Sequence, residues 1–249
     1  MRVKLIVAYD GTNYNGWQVQ PNGVTIEQRL NEALTELLGQ DIRVTGASRT
    51  DAGVHSLGNV CCFDADTRMP AEKISYALNQ RLPEDIVVQD SCEVPESFHP
   101  RYSESRKTYE YRILNRRFRM PTRRLDTYFY YYPLDVVKMQ EAARYLEGEH
   151  DFKSFASLHM QTLTSVRTLY QCAVNRQDDI ITIRVTGNGF LYNMVRIIAG
   201  TLVKVGAGEL APAQIADILA ARDRSAAGPT APACGLTMIG IEYAEAVMR

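Results

Sequence analysis

The sequence predicts an α/β (α+β) protein made of two ferredoxin-like units, whose mainly antiparallel sheets join around a central basic cleft. Three observations lead to this prediction. The first 104 residues show the order strand, helix, strand, strand, helix, strand, which is the ferredoxin-like order. The remaining residues repeat that order with longer insertions, and a strongly basic segment begins this second half. We therefore place the two units at residues 1–104 and 105–249.

The first helix has the clearest boundaries in the first unit. Thr25 and Gln28 have the spacing of a capping box, and apolar residues follow at helical spacing until Gly39, which ends the helix. Residues 3–9 alternate and are rich in β-formers, so they predict a strand. Pro70 fits the first position of a second helix. The other strands of this unit are predicted at residues 42–48, 58–64 and 85–94.

The second unit contains more elements than the first. Helices are predicted from apolar residues at helical spacing, and strands from β-forming runs. The helices are at residues 135–147, 190–205 and 212–221. The strands are at residues 107–114, 127–133, 168–176, 180–187 and 235–243.

The composition is that of a globular protein without a membrane anchor. Hydrophobic residues make up 45% of the chain and charged residues 23%, and the formal net charge is −1. No apolar run approaches the roughly 18 residues that a membrane-spanning helix needs. The apolar run near the N-terminus is too short for a signal peptide, so we expect a cytoplasmic protein.

The cysteines and histidines do not have the spacing of a disulfide framework or a metal site. The five cysteines are an odd number without a C-x-x-C motif, which favours buried, reduced thiols. Cys61 and Cys62 are adjacent in a predicted strand and should point to opposite faces. We expect no metal, because the histidines lack ligand spacing, and we interpret the first two as structural residues. The four histidines are His55, His99, His150 and His159.

The basic segment, residues 106–124, contrasts with the balanced charge of the whole chain. It holds eight basic residues and one acidic residue, with aromatic residues between them. Seven of the eight are Arg, which favours recognition of phosphates or carboxylates. The alternative is a solvated hairpin whose charges pair with acidic residues elsewhere. The candidates for contact with an RNA backbone are Arg106, Lys107, Arg116, Arg117 and Arg119.

The stretch ASRTDAGVHS, residues 47–56, contains the first candidate for catalysis, Asp51. Asp followed by Ala and Gly is favourable turn chemistry, so a structural turn would explain this residue without any catalytic role. The functional alternative is that the turn presents Asp51 in a cleft near Arg49. A carboxylate beside a cation stays ionised, which suits a nucleophile or a base.

Two further candidates lie in the second unit. Arg196 is on an apolar predicted helix, where it either forms a core ion pair or is aimed at a catalytic carboxylate. Tyr109 is in a predicted strand, where a Tyr is usually a packing residue. Because it is next to the basic segment, Tyr109 could instead stack on an unpaired base.

Five segments of the chain resemble, in order, the bacterial tRNA pseudouridine synthase I (TruA) family. SRTDAGVHS resembles the family motif G-R-T-D-A-G-V-H-A. AYDGTNYNGWQVQ is similar to Y-D-G-x-x-Y-x-G-W-Q-x-Q, and SFHPRYSESRKTYEYRI to F-H-A-R-x-S-A-x-x-R-x-Y-x-Y. GNGFLYNMVRIIAGTLVKVG is similar to F-L-x-x-M-V-R-x-I-x-G-x-L, and APACGLTMIGIEY to A-P-x-x-G-L. The matching segments run from residue 8 to residue 243.

The resemblance implies an isomerase that converts uridine to pseudouridine at nucleotide positions 38 to 40 in the anticodon stem-loop of tRNA. It implies no metal and no cofactor, and a homodimer in which one tRNA contacts both subunits. Asp51 would be the nucleophile, and the family leaves open whether it attacks the base, attacks ribose C1′ or abstracts a ribose proton. The flipped nucleotide must leave its stack first, which costs a few kcal/mol.

The resemblance also implies roles for four other residues. Arg196 would pair with Asp51, and Tyr109 would contact the target uridine and handle a proton. Leu236 would pack against the base. Arg49 would occupy the space that the moved nucleotide leaves.

Two other functions are weaker interpretations of the same residues. A non-catalytic RNA-binding protein of the same fold would account for the basic segment. A carboxylate-dependent hydrolase would need a second catalytic acid, for which the sequence offers no clear candidate. Ser48, Ser56 and Pro100 depart from the family pattern, and Gly58-Asn59 differs from the commoner Gly-Gln or Gly-His. A Ser at position 48 would be strained if that position required a positive φ.

Overall fold

The structure is a computed structural model that describes residues 1–157 and 164–244. His159 lies outside the described residues. The described part contains ten β-strands and five α-helices, and most of its strand pairs are antiparallel. The predicted mixed and mainly antiparallel fold class is confirmed. None of the helices in these ranges is long and apolar enough to cross a membrane.

The chain divides into two compact units. The first comprises Met1–Ser105 and Met238–Arg249, and the second comprises Arg106–Thr237. The sequence places the whole of residues 105–249 in the second unit, whereas most of the final strand is grouped with the first unit. The basic cleft predicted between the units stays a prediction.

The elements of the first unit have the predicted order. Its strands are β1 (Arg2–Tyr9), β2 (Thr45–Gly46), β3 (His55–Asp64) and β4 (Ile86–Val94). Its helices are α1 (Ile26–Leu38) and α2 (Ala71–Leu78). β1 pairs with both β3 and β4, and β2 pairs with the other edge of β3. The resulting order β4-β1-β3-β2 is that of a ferredoxin-like sheet.

The first helix has the predicted ends. Thr25 is the N-cap and its side chain accepts a hydrogen bond from the Gln28 N–H, while Gly39 ends the helix in the left-handed conformation with φ 66°. The second helix begins one residue later than predicted, because Pro70 is its N-cap.

The second strand is much shorter than the predicted range 42–48. Side chains of α1 take up backbone groups that a longer strand would use. The Val44 N–H donates to Asn31 Oδ1 at 2.8 Å, and the Ile42 N–H donates to Thr35 Oγ1 at 3.2 Å. The segment is therefore held against the helix, and two residues remain for pairing.

The sheet of the first unit has an apolar cluster on each face. Residues of β1 at alternate positions, Val3, Leu5 and Val7, belong to the larger cluster that α1 and α2 cover. The adjacent cysteines divide between the faces as predicted: Cys61 lies in the larger cluster and Cys62 in the smaller one. All five thiols are free, and Cys61, Cys62 and Cys172 are buried.

The second unit has the following elements. Its strands are β5 (Ser105–Asn115), β6 (Tyr128–Tyr130), β7 (Gly148–Asp151), β8 (Val166–Gln177) and β9 (Ile180–Gly187). Its helices are α3 (Val136–Arg144), α4 (Met194–Gly206) and α5 (Gln214–Ala221). The last strand, β10 (Leu236–Tyr243), begins in this unit and continues in the first. The order β5-β9-β8 corresponds to β1-β3-β2 of the first unit, with β7 added beside β8.

Three elements of the second unit differ most from the sequence prediction. β7 has no counterpart in the prediction, which places no strand between the helix at residues 135–147 and the strand at residues 168–176. β6 is shorter than predicted and parallel to β5, because the Asn115 amide donates to the carbonyls of Tyr130 and Tyr132. α4 begins four residues later than predicted, since residues 191–194 form a turn in which Asn193 has a φ of 61°.

Candidate active site

Asp51 lies in a tight turn between β2 and β3. The Val54 N–H donates to the Asp51 carbonyl at 3.1 Å, and Gly53 has a φ of 77°. Asp51 is half-buried, whereas Arg49 is exposed. The turn interpretation of the sequence is therefore right for the backbone. It leaves open the role of the carboxylate.

A second segment, residues 10–17, lies against this turn. Gly16 has a φ of 81°, and a Cβ built on it would lie 2.3 Å from the Thr50 carbonyl oxygen. The Trp17 N–H donates to the same oxygen at 3.0 Å, and the Gly53 N–H donates to the Tyr14 carbonyl at 3.3 Å. Only a Gly allows this close approach. Contact with the Asp51 turn thus explains why position 16, in the segment AYDGTNYNGWQVQ, is a Gly.

Buried polar groups hold the residues on both sides of Arg49. The hydroxyls of Tyr9 and Thr50 form a hydrogen bond of 2.8 Å. The Asn59 amide donates to the Ser48 carbonyl at 3.0 Å and to the Tyr9 hydroxyl at 3.4 Å. All four residues are buried, and a buried network that is satisfied in this way fixes its members. β1 and β3 therefore set the position of the turn.

His55 has a structural place beside the turn, as the sequence predicts. Its Nδ1 accepts a hydrogen bond from the Gly11 N–H at 3.1 Å and lies 3.0 Å from Asp10 Oδ1. Burial raises the pKa of Asp10, but hydrogen bonds from Thr12 and the nearby imidazole outweigh it, so the pKa is lowered overall. These contacts hold Asp10 and Gly11 against the start of β3.

Ser48, which stands where the family motif has Gly, does not have a strained backbone. Among the described residues, the positive φ values outside Gly are those of Asp178, Asn193 and Arg222. Ser48 is therefore a simple small-for-small replacement. Ser56 also has a local role, since its hydroxyl accepts hydrogen bonds from the N–H groups of Gly58 and Asn59.

Arg196 lies in the first turn of α4 and is half-buried. Its Nε donates to the Ala231 carbonyl at 2.8 Å, and its Nη1 donates to Asn193 Oδ1 at 2.8 Å. The Ala231 N–H in turn donates to the Arg196 carbonyl at 3.1 Å. The guanidinium is thus held from two directions within the second unit.

The segment before β10, residues 228–235, runs along α4 and leads to Leu236. A Cβ built on Gly200 would lie 1.9 Å from the Pro229 carbonyl oxygen, so the helix and the segment are in backbone contact. Farther along, the Tyr111 hydroxyl donates to the Pro232 carbonyl at 2.7 Å. Leu236 is buried at the start of β10.

Tyr109 and Tyr111 lie on the buried face of β5. Tyr109 is 7% exposed, and its ring meets Phe190 edge to face at a centroid distance of 5.0 Å. Tyr111 is fully buried, and burial raises the pKa of its hydroxyl. Tyr109 therefore has a packing role, which does not by itself exclude a second role for its hydroxyl.

Most charges of the basic segment lie at the first end of β5 or beyond its other end. A strand rises about 3.3 Å per residue, so the two ends of β5 lie about 33 Å apart. Arg106 lies at the first end and stacks over Tyr170 at 4.7 Å. Arg117 and Arg119 follow the other end and stack over Phe118 and Phe129.

Several arginines of the segment have acidic partners, as the solvated-hairpin alternative expects. Arg116 pairs with Asp179 at 3.2 Å, Arg112 with Glu110 at 2.9 Å, and Arg123 with Asp126 at 3.0 Å. In the part of the chain that the structure describes, Arg106, Arg117 and Arg119 form no ion pair. These three keep their charge available to a ligand.

The sequence matches the family described as tRNA pseudouridine synthase over residues 5–103 and 142–244. These ranges include most of the chain. The chain belongs to the tRNA pseudouridine synthase family. It is accordingly an isomerase of that family, and the resemblance to TruA is confirmed.

Curated relatives in the family cover nearly the full length. A tRNA pseudouridine synthase A of Thermoanaerobacter sp. (strain X514) is 48% identical over 241 residues, which cover 97% of this chain and 99% of that protein. One of Ruminiclostridium cellulolyticum is 48% identical over 243 residues with the same coverage. One of Brevibacillus brevis is 47% identical over 242 residues.

Among the solved structures that match is one with a distant likeness. The structure described as the archaeal box H/ACA sRNP Nop10-Cbf5 complex has a TM-score of 0.35 and 10% identity, covering 95% of this chain and 46% of that chain. A likeness at this level supports no further argument about this family member.

The structure places the predicted site residues of this family member in both units. Arg49 and Asp51 are in the first unit, and Tyr109, Arg196 and Leu236 are in the second. Their meeting at one site stays a prediction. The described residues contain no group of three or more His, Cys, Asp or Glu that could hold a metal ion.

The sequence alone gives little indication of the residues that support the candidates. Tyr9, Asn59 and Asn193 each hold a predicted site residue or its neighbour by a side-chain hydrogen bond. The available signal is Asn193 itself, because Asn tolerates the left-handed conformation and favours turns.

Proposed function

We propose that this chain converts uridine to pseudouridine at nucleotide positions 38 to 40 in the anticodon stem-loop of tRNA, with Asp51 as the nucleophile. The family match over residues 5–103 and 142–244 is the observation that carries the proposal. It includes the turn of Asp51 and the helix of Arg196. The reaction is an isomerisation: the bond from N1 to ribose C1′ breaks, a bond from C5 to C1′ forms, and the C5 proton is lost while N1 gains one.

The geometry of each unit is consistent with the proposed roles. The turn presents a half-buried carboxylate on a backbone that three other segments hold. Such preorganisation lets a carboxylate act without rearrangement of the protein. Arg196 is proposed to keep Asp51 ionised, since a cation near a carboxylate favours its charged form. Whether Asp51 attacks the base or C1′, or abstracts a ribose proton, is left open in the proposal.

The remaining residues are assigned to binding. The Tyr109 side chain is almost fully buried. We therefore assign its contact with the target uridine and its proton handling to the hydroxyl. Leu236 packs against the base, and Arg49 occupies the space that the moved nucleotide leaves. Arg106, Lys107, Arg116, Arg117 and Arg119 contact stem phosphates, with Arg106, Arg117 and Arg119 contributing most because they form no ion pair among the described residues.

The proposal further includes a cytoplasmic homodimer in which one tRNA contacts both subunits. Sedimentation with and without unmodified tRNA tests this part. A dimer that binds tRNA agrees with it, and a monomer that retains full activity contradicts it.

Asp51→Asn tests the chemistry. Purified protein is incubated with an unmodified tRNA transcript without added metal or cofactor, and pseudouridine is mapped by carbodiimide modification and primer extension. The wild type should give product at positions 38 to 40, and Asp51→Asn should give none while it still binds tRNA. Asp90→Asn, which changes an exposed residue of β4, is the matched control and should be fully active.

The outcomes separate the alternatives. Full activity of Asp51→Asn would contradict its role as nucleophile. Product at other tRNA positions would contradict the assigned position alone. A wild type that binds tRNA and forms no product would point to the non-catalytic RNA-binding protein.

A further inference from the structure

Asn193 has an unusual backbone conformation directly before α4. Its φ is 61° and its ψ is 7°, in the left-handed region. The Met194 N–H donates to the Leu191 carbonyl at 3.0 Å, so Asn193 is the third residue of a turn. A positive φ at this position favours Gly or Asn. The backbone conformation of the turn therefore favours these two residues.

The backbone alone does not explain why the residue is Asn. Gly adopts the left-handed conformation without steric cost, whereas a residue with a Cβ is strained there. A residue that keeps a side chain in a strained conformation usually has a use for that side chain. The contacts of the amide are therefore informative.

The Asn193 amide connects Arg196 to Ser157. Its Oδ1 accepts a hydrogen bond from Arg196 Nη1 at 2.8 Å, and its Nδ2 donates to Ser157 Oγ at 2.9 Å. Ser157 is itself fixed, since its N–H donates to the Tyr192 carbonyl at 3.2 Å. Both polar groups of the amide are used, so its orientation is determined.

This contact helps to set the plane of the Arg196 guanidinium. Nε donates to the Ala231 carbonyl at 2.8 Å. The bond from Nη1 to Asn193 Oδ1, at 2.8 Å, restricts rotation of the guanidinium about the direction of the first bond. A guanidinium is planar, so two fixed donors set the direction of the remaining ones.

We propose that Asn193 is a positioning residue that orients Arg196 for catalysis through the hydrogen bond from Nη1 to Oδ1. The inference rests on the proposed function, which assigns Arg196 to Asp51. Asn193 itself touches no reacting atom in this proposal. Loss of the Asn193 side chain keeps the positive charge of Arg196 but changes the direction in which its guanidinium donates.

Asn193→Gly tests the proposal, because Gly keeps the turn and removes only the side chain. We expect kcat for pseudouridine formation to fall about ten- to a hundredfold, as a small misplacement of a catalytic group does. KM for tRNA should change little, and Tm should stay within about 3 °C of the wild type. Asp178→Gly is the matched control, since Asp178 is exposed and has a φ of 52° in the β8–β9 turn. It relieves the same backbone strain and should leave kcat unchanged.

A double-mutant cycle with Arg196→Lys separates positioning from a general effect on the fold. The effect of Asn193→Gly on kcat should be largely absent in the Arg196→Lys background, because the guanidinium that it orients is gone. An equal effect in both backgrounds would overturn the proposal. Ser157→Ala, which frees the outer end of the amide, should lower kcat by a smaller factor with KM unchanged.

The outcomes identify which idea fails. If the wild type forms no pseudouridine, the proposed function fails and the orientation of Arg196 has no catalytic meaning. If the wild type is active and Asn193→Gly has the wild-type kcat, the positioning role is wrong and the proposed function stands. If Asn193→Gly does not fold, Ser157→Ala decides, and an unchanged kcat in that variant contradicts the proposal.

Discussion

The hydroxyl of Tyr9 forms a 2.8 Å hydrogen bond with Thr50 Oγ1, across 41 residues of sequence. Tyr9 is the last residue of β1, and Thr50 directly precedes Asp51. Both side chains are buried. The end of the first strand therefore fixes the residue next to the proposed nucleophile.

Tyr9→Phe should lower activity without unfolding the protein. The ring keeps its packing, and the lost hydrogen bond reduces the free energy of unfolding by about 1 kcal/mol. We expect kcat to fall roughly three- to tenfold, because Thr50 gains freedom beside Asp51. Urea denaturation and single-turnover assays measure the two effects. Tyr76→Phe is the control, since Tyr76 is 70% exposed on α2. If Tyr76→Phe lost as much activity as Tyr9→Phe, the prediction would be contradicted.

Gly16→Ala should lower activity more than an Ala placed at another Gly of positive φ that has no close contact. Its Cβ would meet the Thr50 carbonyl oxygen at 2.3 Å and push the turn of Asp51 away. Gly39→Ala is the matched control, because Gly39 has a φ of 66° and no atom within 4 Å of its Cβ position.

Both variants should lose about 1–2 kcal/mol of folding free energy from the left-handed conformation. Gly16→Ala should in addition lose most of its pseudouridine formation, while Gly39→Ala stays active. Thermal unfolding and the mapping assay test this pair. Equal activity of the two variants would show that the close approach does not matter for catalysis.

Local sequence rules predicted the elements whose signals are local. The capping residues and Gly39 set the ends of α1 correctly, because caps depend on neighbours in the sequence. β2 was overestimated, since Asn31 and Thr35 of α1 bind backbone groups of residues 42–44. The start of α4 was placed too early, because the turn conformation of Asn193 is not visible in an apolar helical pattern.

The support of the candidate site was beyond the reach of single-sequence reasoning. Residue type and local pattern make Asp51 and Arg196 candidates, and the resemblance implies their roles, but neither describes what holds them. Gly16 approaches Thr50 and Tyr9 bonds to it through contacts between distant segments. Such contacts depend on how the strands assemble, and neither periodicity nor composition reports them.

Arg119→Ala should weaken tRNA binding more than Arg116→Ala. Arg119 stacks over Phe129 and forms no ion pair within the described ranges, whereas Arg116 pairs with Asp179. Each lost phosphate contact should lower the slope of log affinity against log salt by roughly 0.7–0.9. We therefore expect this change for Arg119→Ala and a smaller one for Arg116→Ala, measured by filter binding at several salt concentrations. Equal slopes for both variants and the wild type would remove this end of β5 from the RNA surface.

Acid should remove the contribution of Asp64 to stability. The hydrogen bond from Arg2 lowers the pKa of Asp64 below its ordinary value of 3.8. A carboxyl whose pKa is lower in the folded state stabilises the protein above its unfolded pKa, and this contribution is lost as the pH falls through the folded pKa.

Asp64→Asn should thus be less stable than the wild type near pH 7, and the difference should shrink as the pH falls below about 4. Urea denaturation at a series of pH values measures it. Asp151→Asn should follow the same course, because a hydrogen bond from Ser165 lowers the pKa of that carboxyl too. A difference that is constant with pH would contradict the assigned cause.

The two half-buried cysteines should be the first to react with iodoacetamide in the native protein. Burial raises the pKa of Cys62 to about 11 and that of Cys172 to about 12, and it also raises the pKa of Cys61. At pH 8 a thiol of pKa 11 is ionised in about one molecule in a thousand, and the thiolate is the reactive form. Burial also raises the pKa of Cys234, but this thiol and that of Cys92 are half-exposed, so labelling should occur first at these two, with all five thiols reacting in urea.

Unmodified tRNA should slow the labelling of Cys234 and leave that of Cys92 unchanged. Cys234 is two residues from Leu236, which is proposed to pack against the target base, whereas Cys92 lies in β4 of the first unit. Mass spectrometry of peptides after timed alkylation gives both rates in one sample, so Cys92 serves as the internal control. If tRNA binds and the rate at Cys234 does not change, the base does not approach the start of β10, and the role of Leu236 must be abandoned.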